Sequence, residues 1–151
     1  MLIALDPDGR GVYETNAAAY IEELSALDAE VAAAVESLPP ARRKLVTFHD
    51  AYPYFAARYG LAIAGVVVPS PGQDPSARRV AELTQTLLDE DIPAVYTEPQ
   101  FNDDVLAAAA DDAGVRVLDL LSDAYVAGVD SYVALMRYNV EQLKEGLGAD
   151  D

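Results

Sequence analysis

The chain has no cysteine, a single histidine and only 10 basic residues among 151. Without cysteine there are no disulfides, no thiolate metal sites and no cysteine nucleophile; the compartment stays open, because many exported proteins also lack it. The shortage of lysine and arginine against 26 acidic residues leaves a formal net charge of -16. A field of that sign repels phosphate backbones and anionic lipid surfaces, which argues against nucleic acid and electrostatic membrane binding. Cations are the natural counter-species, and most of the carboxylates read as a solvated acidic coat. No apolar run approaches the roughly 20 residues of a membrane span, so direct membrane insertion is not expected. The opening "MLIALDPDGRG" has no basic segment, its apolar stretch ends at Asp6, and no signal sequence is expected there. Two catalytic signatures are missing as well. No Gly-x-Ser-x-Gly elbow follows a strand-like run, and the loop "PSPGQDPS" lacks the glycine spacing and lysine of a phosphate cradle.

What is present is a globular composition, 52% hydrophobic and 24% charged, at a length suited to one sizeable core. Tyr13 to Leu38 is rich in alanine and free of glycine and proline. Tyr20, Leu24, Leu27, Val31 and Leu38 fall mostly at three- and four-residue steps, which predicts a long helix with a narrow apolar stripe, stopped by Pro39-Pro40. Four apolar runs follow: "KLVTF" from Lys44, "AIAGVVV" from Ala62, "IPAVYT" from Ile92 and "VRVLDL" from Val115. Helical segments separate and follow them. One is closed by Gly60, one starts at an Asp74 cap with Pro75 first, one runs from Asn102 to Gly114, and one is capped by Asp130. The pattern predicts an α/β fold: a parallel four-stranded sheet flanked by helices on both faces and preceded by one long helix.

In such a sheet, ligands collect beyond the carboxyl ends of the strands. His49 follows the first strand, Glu98 the third and Asp123 the fourth. Imidazole with carboxylate suits a divalent transition metal, zinc among them, whereas calcium wants more oxygens. Spacing alone leaves structural accounts open: His49 as a helix-start or buried imidazole, Asp123 as a turn or cap residue, Glu98 as a solvated loop acid. A hydrolase triad of His49 with Asp50, Ser122 or Asp123 is a further arrangement, without the elbow motif to support it.

The stretches "PPARRKLVTFHDAYPYFAARYGL", "DPSARRVAELTQTLLDEDIPAVYTEPQFNDDVL", "AGVRVLDLLSDAY" and "SYVALMRYNVEQLKEGL" resemble, in order and spacing, the C-terminal lobe of the metal-binding solute-binding proteins of zinc and manganese ABC importers. The resemblance implies two α/β lobes joined by a rigid helix, with one metal ion between them. By it, residues 1-40 correspond to the linking helix with the segment before it, and 41-151 to the metal-binding lobe. His49 in "TFHDAY" and Asp123 in "LLSDAY" match metal ligands, and Glu98 in "YTEPQF" matches a supporting glutamate beside the site. Imidazole at the His49 position, where other members carry glutamate, favours zinc over manganese.

The same resemblance implies that the N-terminal lobe and its two ligands lie outside this sequence. Two protein ligands against the four zinc usually takes predict weak binding by this chain alone. The implied partners are a divalent ion, an importer's membrane permease and the N-terminal lobe; the implied location is extracytoplasmic, and no catalysis is required. Part of the Tyr20, Leu24 and Leu27 stripe is expected to be exposed, which invites a homodimer. Two other readings stay open: a small metal-dependent or histidine-based hydrolase, and a protein-interaction domain with a vestigial metal half-site.

Overall fold

Alternation along short apolar runs decides which way each strand side chain points, and here it divides the core in two. The computed structural model describes residues 1–70, 72–73, 75–102 and 104–148. Its strands are β1 (Lys44–His49), β2 (Ala62–Val68), β3 (Ala94–Thr97) and β4 (Arg116–Asp119). They form one parallel sheet in the order β2-β1-β3-β4. The helices are α1 (Leu2–Leu5), α2 (Arg10–Ser37), α3 (Pro53–Tyr59), α4 (Ala77–Asp89), α5 (Asp104–Ala113) and α6 (Tyr132–Leu147). The predicted α/β architecture, with its long leading helix, is the one the chain adopts.

On one face of the sheet, Leu45, Ala94 and Tyr96 pack with Val35 of α2, Ala56 of α3, and Leu143 and Leu147 of α6. On the other, Val46, Phe48 and Val95 pack with Leu83 and Leu87 of α4 and with Leu106 and Ala109 of α5. A third cluster joins Leu27 and Val31 of α2 to Val133, Met136 and Val140 of α6. The chain therefore leaves β1 for β2 in one direction and then crosses back past β1 to reach β3. That reversal opens a crevice at the carboxyl ends of β1 and β3, the switch point at which open α/β sheets bind ligands.

Several boundaries differ from the sequence expectation, each for a local reason. The Asp74 cap lies outside the described residues, and α4 instead begins after Ser76, whose hydroxyl accepts from Arg79 N at 3.3 Å. Ser131 rather than Asp130 caps α6, accepting from Ala134 N at 3.2 Å. The Ser131 hydroxyl, next to the first helical turn, reaches a free N–H that Asp130, one residue farther back, does not. Helix α2 starts at Arg10, ahead of Tyr13. Strand β3 starts at Ala94 rather than Ile92, because pairing with β4 begins at Ala94 opposite Arg116. The stripe on α2 is also shifted toward its end: Leu27, Val31 and Val35 are buried, whereas Tyr20 is exposed. Part of the Tyr20, Leu24 and Leu27 stripe is therefore exposed, as expected, at Tyr20 and not at Leu27.

Helix α6 lies close enough to the sheet to need a glycine. A Cβ at Gly146 would fall 2.9 Å from Leu118 Cδ1 and closer still to the Tyr96 hydroxyl. In an exposed helix, Gly→Ala gains about 1 kcal/mol from propensity. Here overpacking outweighs that gain, and Gly146→Ala is expected to lower stability by roughly 1–3 kcal/mol. Urea unfolding checks the sign; a stabilised variant would mean that α6 can move off the sheet at little cost.

Candidate metal centre

The last residue of β1 is His49, and the residue after β3 is Glu98. Parallel pairing sets Thr47 opposite Tyr96, so the two strand ends arrive side by side at the crevice. There Nδ1 of His49 meets Oε1 of Glu98 in a short hydrogen bond. The imidazole is also held by Phe101, whose ring meets it edge-on at 5.2 Å between centroids and stacks on Phe48 at 5.5 Å.

Glu98 is 2% exposed, which corrects the picture of a solvated loop acid. Its second oxygen, Oε2, accepts from Ser122 Oγ and from Gln100 Nε2, the latter at 3.1 Å. Burial pushes the carboxyl above its usual range; the Ser122 hydroxyl and His49 pull it back, and the negative charge of Asp123 adds to the rise. A buried carboxylate with this many donors is a fixed acceptor rather than a free ligand.

Asp123 stands exposed in the turn after β4. Its Oδ1 accepts from Gln100 Nε2 at 3.0 Å and lies 3.2 Å from Ser122 Oγ. The turn is pinned from both sides. The side chain of Asn139, from α6, donates to Leu121 O and accepts from Leu121 N, both at 2.7 Å. Tyr52, just before α3, donates its hydroxyl to Leu120 O, and burial drives its phenol well above the ordinary range, so it stays a neutral donor.

The structure thus brings together all three residues singled out in the sequence, through Gln100 and Ser122 as intermediaries. With Nδ1 of His49 engaged by Glu98, the other ring nitrogen, Nε2, is the one left to act as a donor. Of the three residues, His49 through Nε2 and Asp123 through its carboxylate have atoms left that could hold a cation. Among the described residues, Ser122 Oγ turns to the two carboxylates rather than to His49, so it is not set as the nucleophile of a triad. Among the described residues, no group of three or more histidine, aspartate or glutamate side chains is disposed to hold a metal ion. Sequence reading passed over Gln100, Phe101, Tyr52 and Asn139. Gln100 and Phe101 follow Glu98 closely enough to be suspected, but Tyr52 and Asn139 act only through the packing of α3 and α6.

The family described as zinc-uptake complex component A, periplasmic (ZnuA), matches residues 1–146. The high-affinity zinc uptake system protein ZnuA of Brucella abortus (strain 2308) is 37% identical over 144 residues, covering 94% of this chain and 42% of that protein. The manganese-binding lipoprotein MntA of Halalkalibacterium halodurans is 27% identical over 150 residues, covering 97% and 50%. Among solved structures, the periplasmic zinc-binding protein TroA from Treponema pallidum superposes with a TM-score of 0.87 at 29% identity, covering 98% of this chain and 57% of that one. The chain spans about half the length of these relatives.

The geometry at His49 sets its tautomer. A carboxylate that accepts from Nδ1 places the neutral ring's proton there, the form that is less populated in free histidine. Nitrogen-15 spectra of the chain are expected to show protonated Nδ1 and bare Nε2, with Glu98→Leu reverting to the usual tautomer. Protonated Nε2 in the unaltered protein would count against the Glu98 contact.

Proposed function

The chain belongs to the periplasmic zinc-uptake complex component A family, and on that premise we propose that it supplies one side of a binding site for a transported divalent cation, zinc before manganese. The observation that carries the reading is the His49–Glu98 contact at the switch point between β1 and β3. A buried carboxylate orienting an imidazole is the arrangement that raises ligand basicity at histidine-bound metals. His49 through Nε2 and Asp123 through its carboxylate are the donors in this proposal, and Glu98 is the residue that aims the ring. A nitrogen donor paired with one carboxylate favours zinc over harder cations.

In the same reading the ion is cargo rather than a reagent, and the chain is a binding component of an ABC importer rather than an enzyme. Its partners are then the importer's permease and the part of the relatives' length that this chain does not span. That part supplies the remaining donors. The family's description as periplasmic and that of MntA as a lipoprotein support an extracytoplasmic location. Residues 41-151 form the metal-binding lobe, and 1-40 carry the connection to the other one. Support for that division comes from α2, whose later half packs on the lobe while Val12, Tyr20 and Ile21 stay exposed. Those side chains also offer surface for a homodimer, against which a clean monomer by light scattering at high concentration would speak.

Zinc calorimetry on the chain tests the donors. Binding is expected to be weak, since two protein ligands leave the rest of the coordination to water. His49→Ala and Asp123→Ala should each reduce it to near the limit of detection, and Glu98→Gln should weaken it by about 10–100-fold with the fold intact. Zinc binding that is indifferent to His49→Ala would refute the proposal.

A further inference from the structure

Gln100 spends both hydrogens of its side-chain amide on carboxylates from two different segments. Nε2 lies 3.1 Å from Glu98 Oε2 and 3.0 Å from Asp123 Oδ1. The reverse orientation would set the amide oxygen against two anions, so the network itself assigns the nitrogen to this side. Two like charges are thereby held against one donor, closer than they would settle unaided.

The serine beside them cannot do the same work. Ser122 Oγ has one hydrogen, and its contact with Glu98 Oε2 is shorter than its 3.2 Å separation from Asp123 Oδ1. The proton therefore goes to Glu98, which leaves Gln100 as the main donor to Asp123. Asp123 is exposed, and without that donor its carboxylate would be free to change rotamer in the turn. With Oδ1 engaged, Oδ2 is the oxygen left to face a cation.

We propose that Gln100 is a positioning residue for cation binding, acting through Asp123 as Glu98 acts through His49. The proposal rests on the reading of His49 and Asp123 as the cation donors. It makes the turn "TEPQF" a two-armed support: Glu98 aims the imidazole, and Gln100, two residues on, aims the carboxylate. Because Gln100 is exposed, replacing it leaves the core packing untouched.

The test is a zinc titration followed at the His49 ring resonances, which reads weak binding, on the full chain as Gln100→Leu, Asp123→Ala and the two combined. Gln100→Leu is expected to bind about tenfold more weakly while keeping the Nδ1-protonated signature of His49. The combined variant is expected to bind no more weakly than Asp123→Ala, since Gln100 has nothing left to position. Unchanged affinity in Gln100→Leu overturns the proposal. So does a further tenfold loss in the combined variant, or loss of the His49 signature in Gln100→Leu, because Gln100 would then act elsewhere. The underlying reading fails differently: Asp123→Ala binding like the unaltered chain removes Asp123 as a donor and ends both.

Discussion

A carboxylate buried at the end of β3 needs hydrogen-bond donors, because desolvating an ionised group without them costs more than a fold of this size can absorb. Glu98 meets that need from three segments: His49 at the end of β1, Ser122 after β4, and Gln100 in its own turn. Each donor is thereby fixed in place. The solution to one residue's solvation thus becomes the geometry of the crevice, with an imidazole aimed by one oxygen and a neighbouring carboxylate drawn in through the groups on the other.

The sheet makes this possible by bringing the ends of β1 and β3 together where the winding reverses. Among the described residues no strand follows β4 to hold the chain, and side chains take over the task. Leu120 N continues the ladder by donating to Thr97 O at 2.9 Å, and Asn139 then pairs with both backbone groups of Leu121. Helix α6 acts as a substitute strand edge at Leu121, and the turn bearing Ser122 and Asp123 inherits the rigidity of the core. Asp123 is exposed, but the turn that carries it is held from below by Asn139 and Tyr52.

Charge and packing work on different scales here. The net charge of -16 draws cations toward the surface without choosing a place for them. In the proposed site, choice of place falls to the few groups in the crevice whose lone pairs are oriented by neighbours. The same division runs along α2. Its later half is committed to the core through Leu27, Val31 and Val35, while Val12, Tyr20 and Ile21 remain uncovered in a chain that spans about half the length of its relatives.

Strand and helix identities were legible in the sequence because they depend on short-range periodicity and on local breakers. β2 was bounded at Ala62 and Val68, as found, and Gly60 and Gly114, both with positive φ, close the helices they were expected to close. Helix starts were less legible, since Ser76 and Ser131 each stand close to a plausible aspartate and only backbone geometry chooses between them. His49, Glu98 and Asp123 could be picked out in sequence because strand ends in a parallel sheet point to one edge. Sequence alone therefore determined the secondary elements, the parallel architecture and the three residues at its rim. Only the tertiary structure decided that Glu98 is buried, that its two oxygens divide between His49 and the Gln100–Ser122 pair, and that Asn139 and Tyr52 hold the turn. Those outcomes depend on desolvation and on contacts between segments as many as 68 residues apart, which no local pattern encodes.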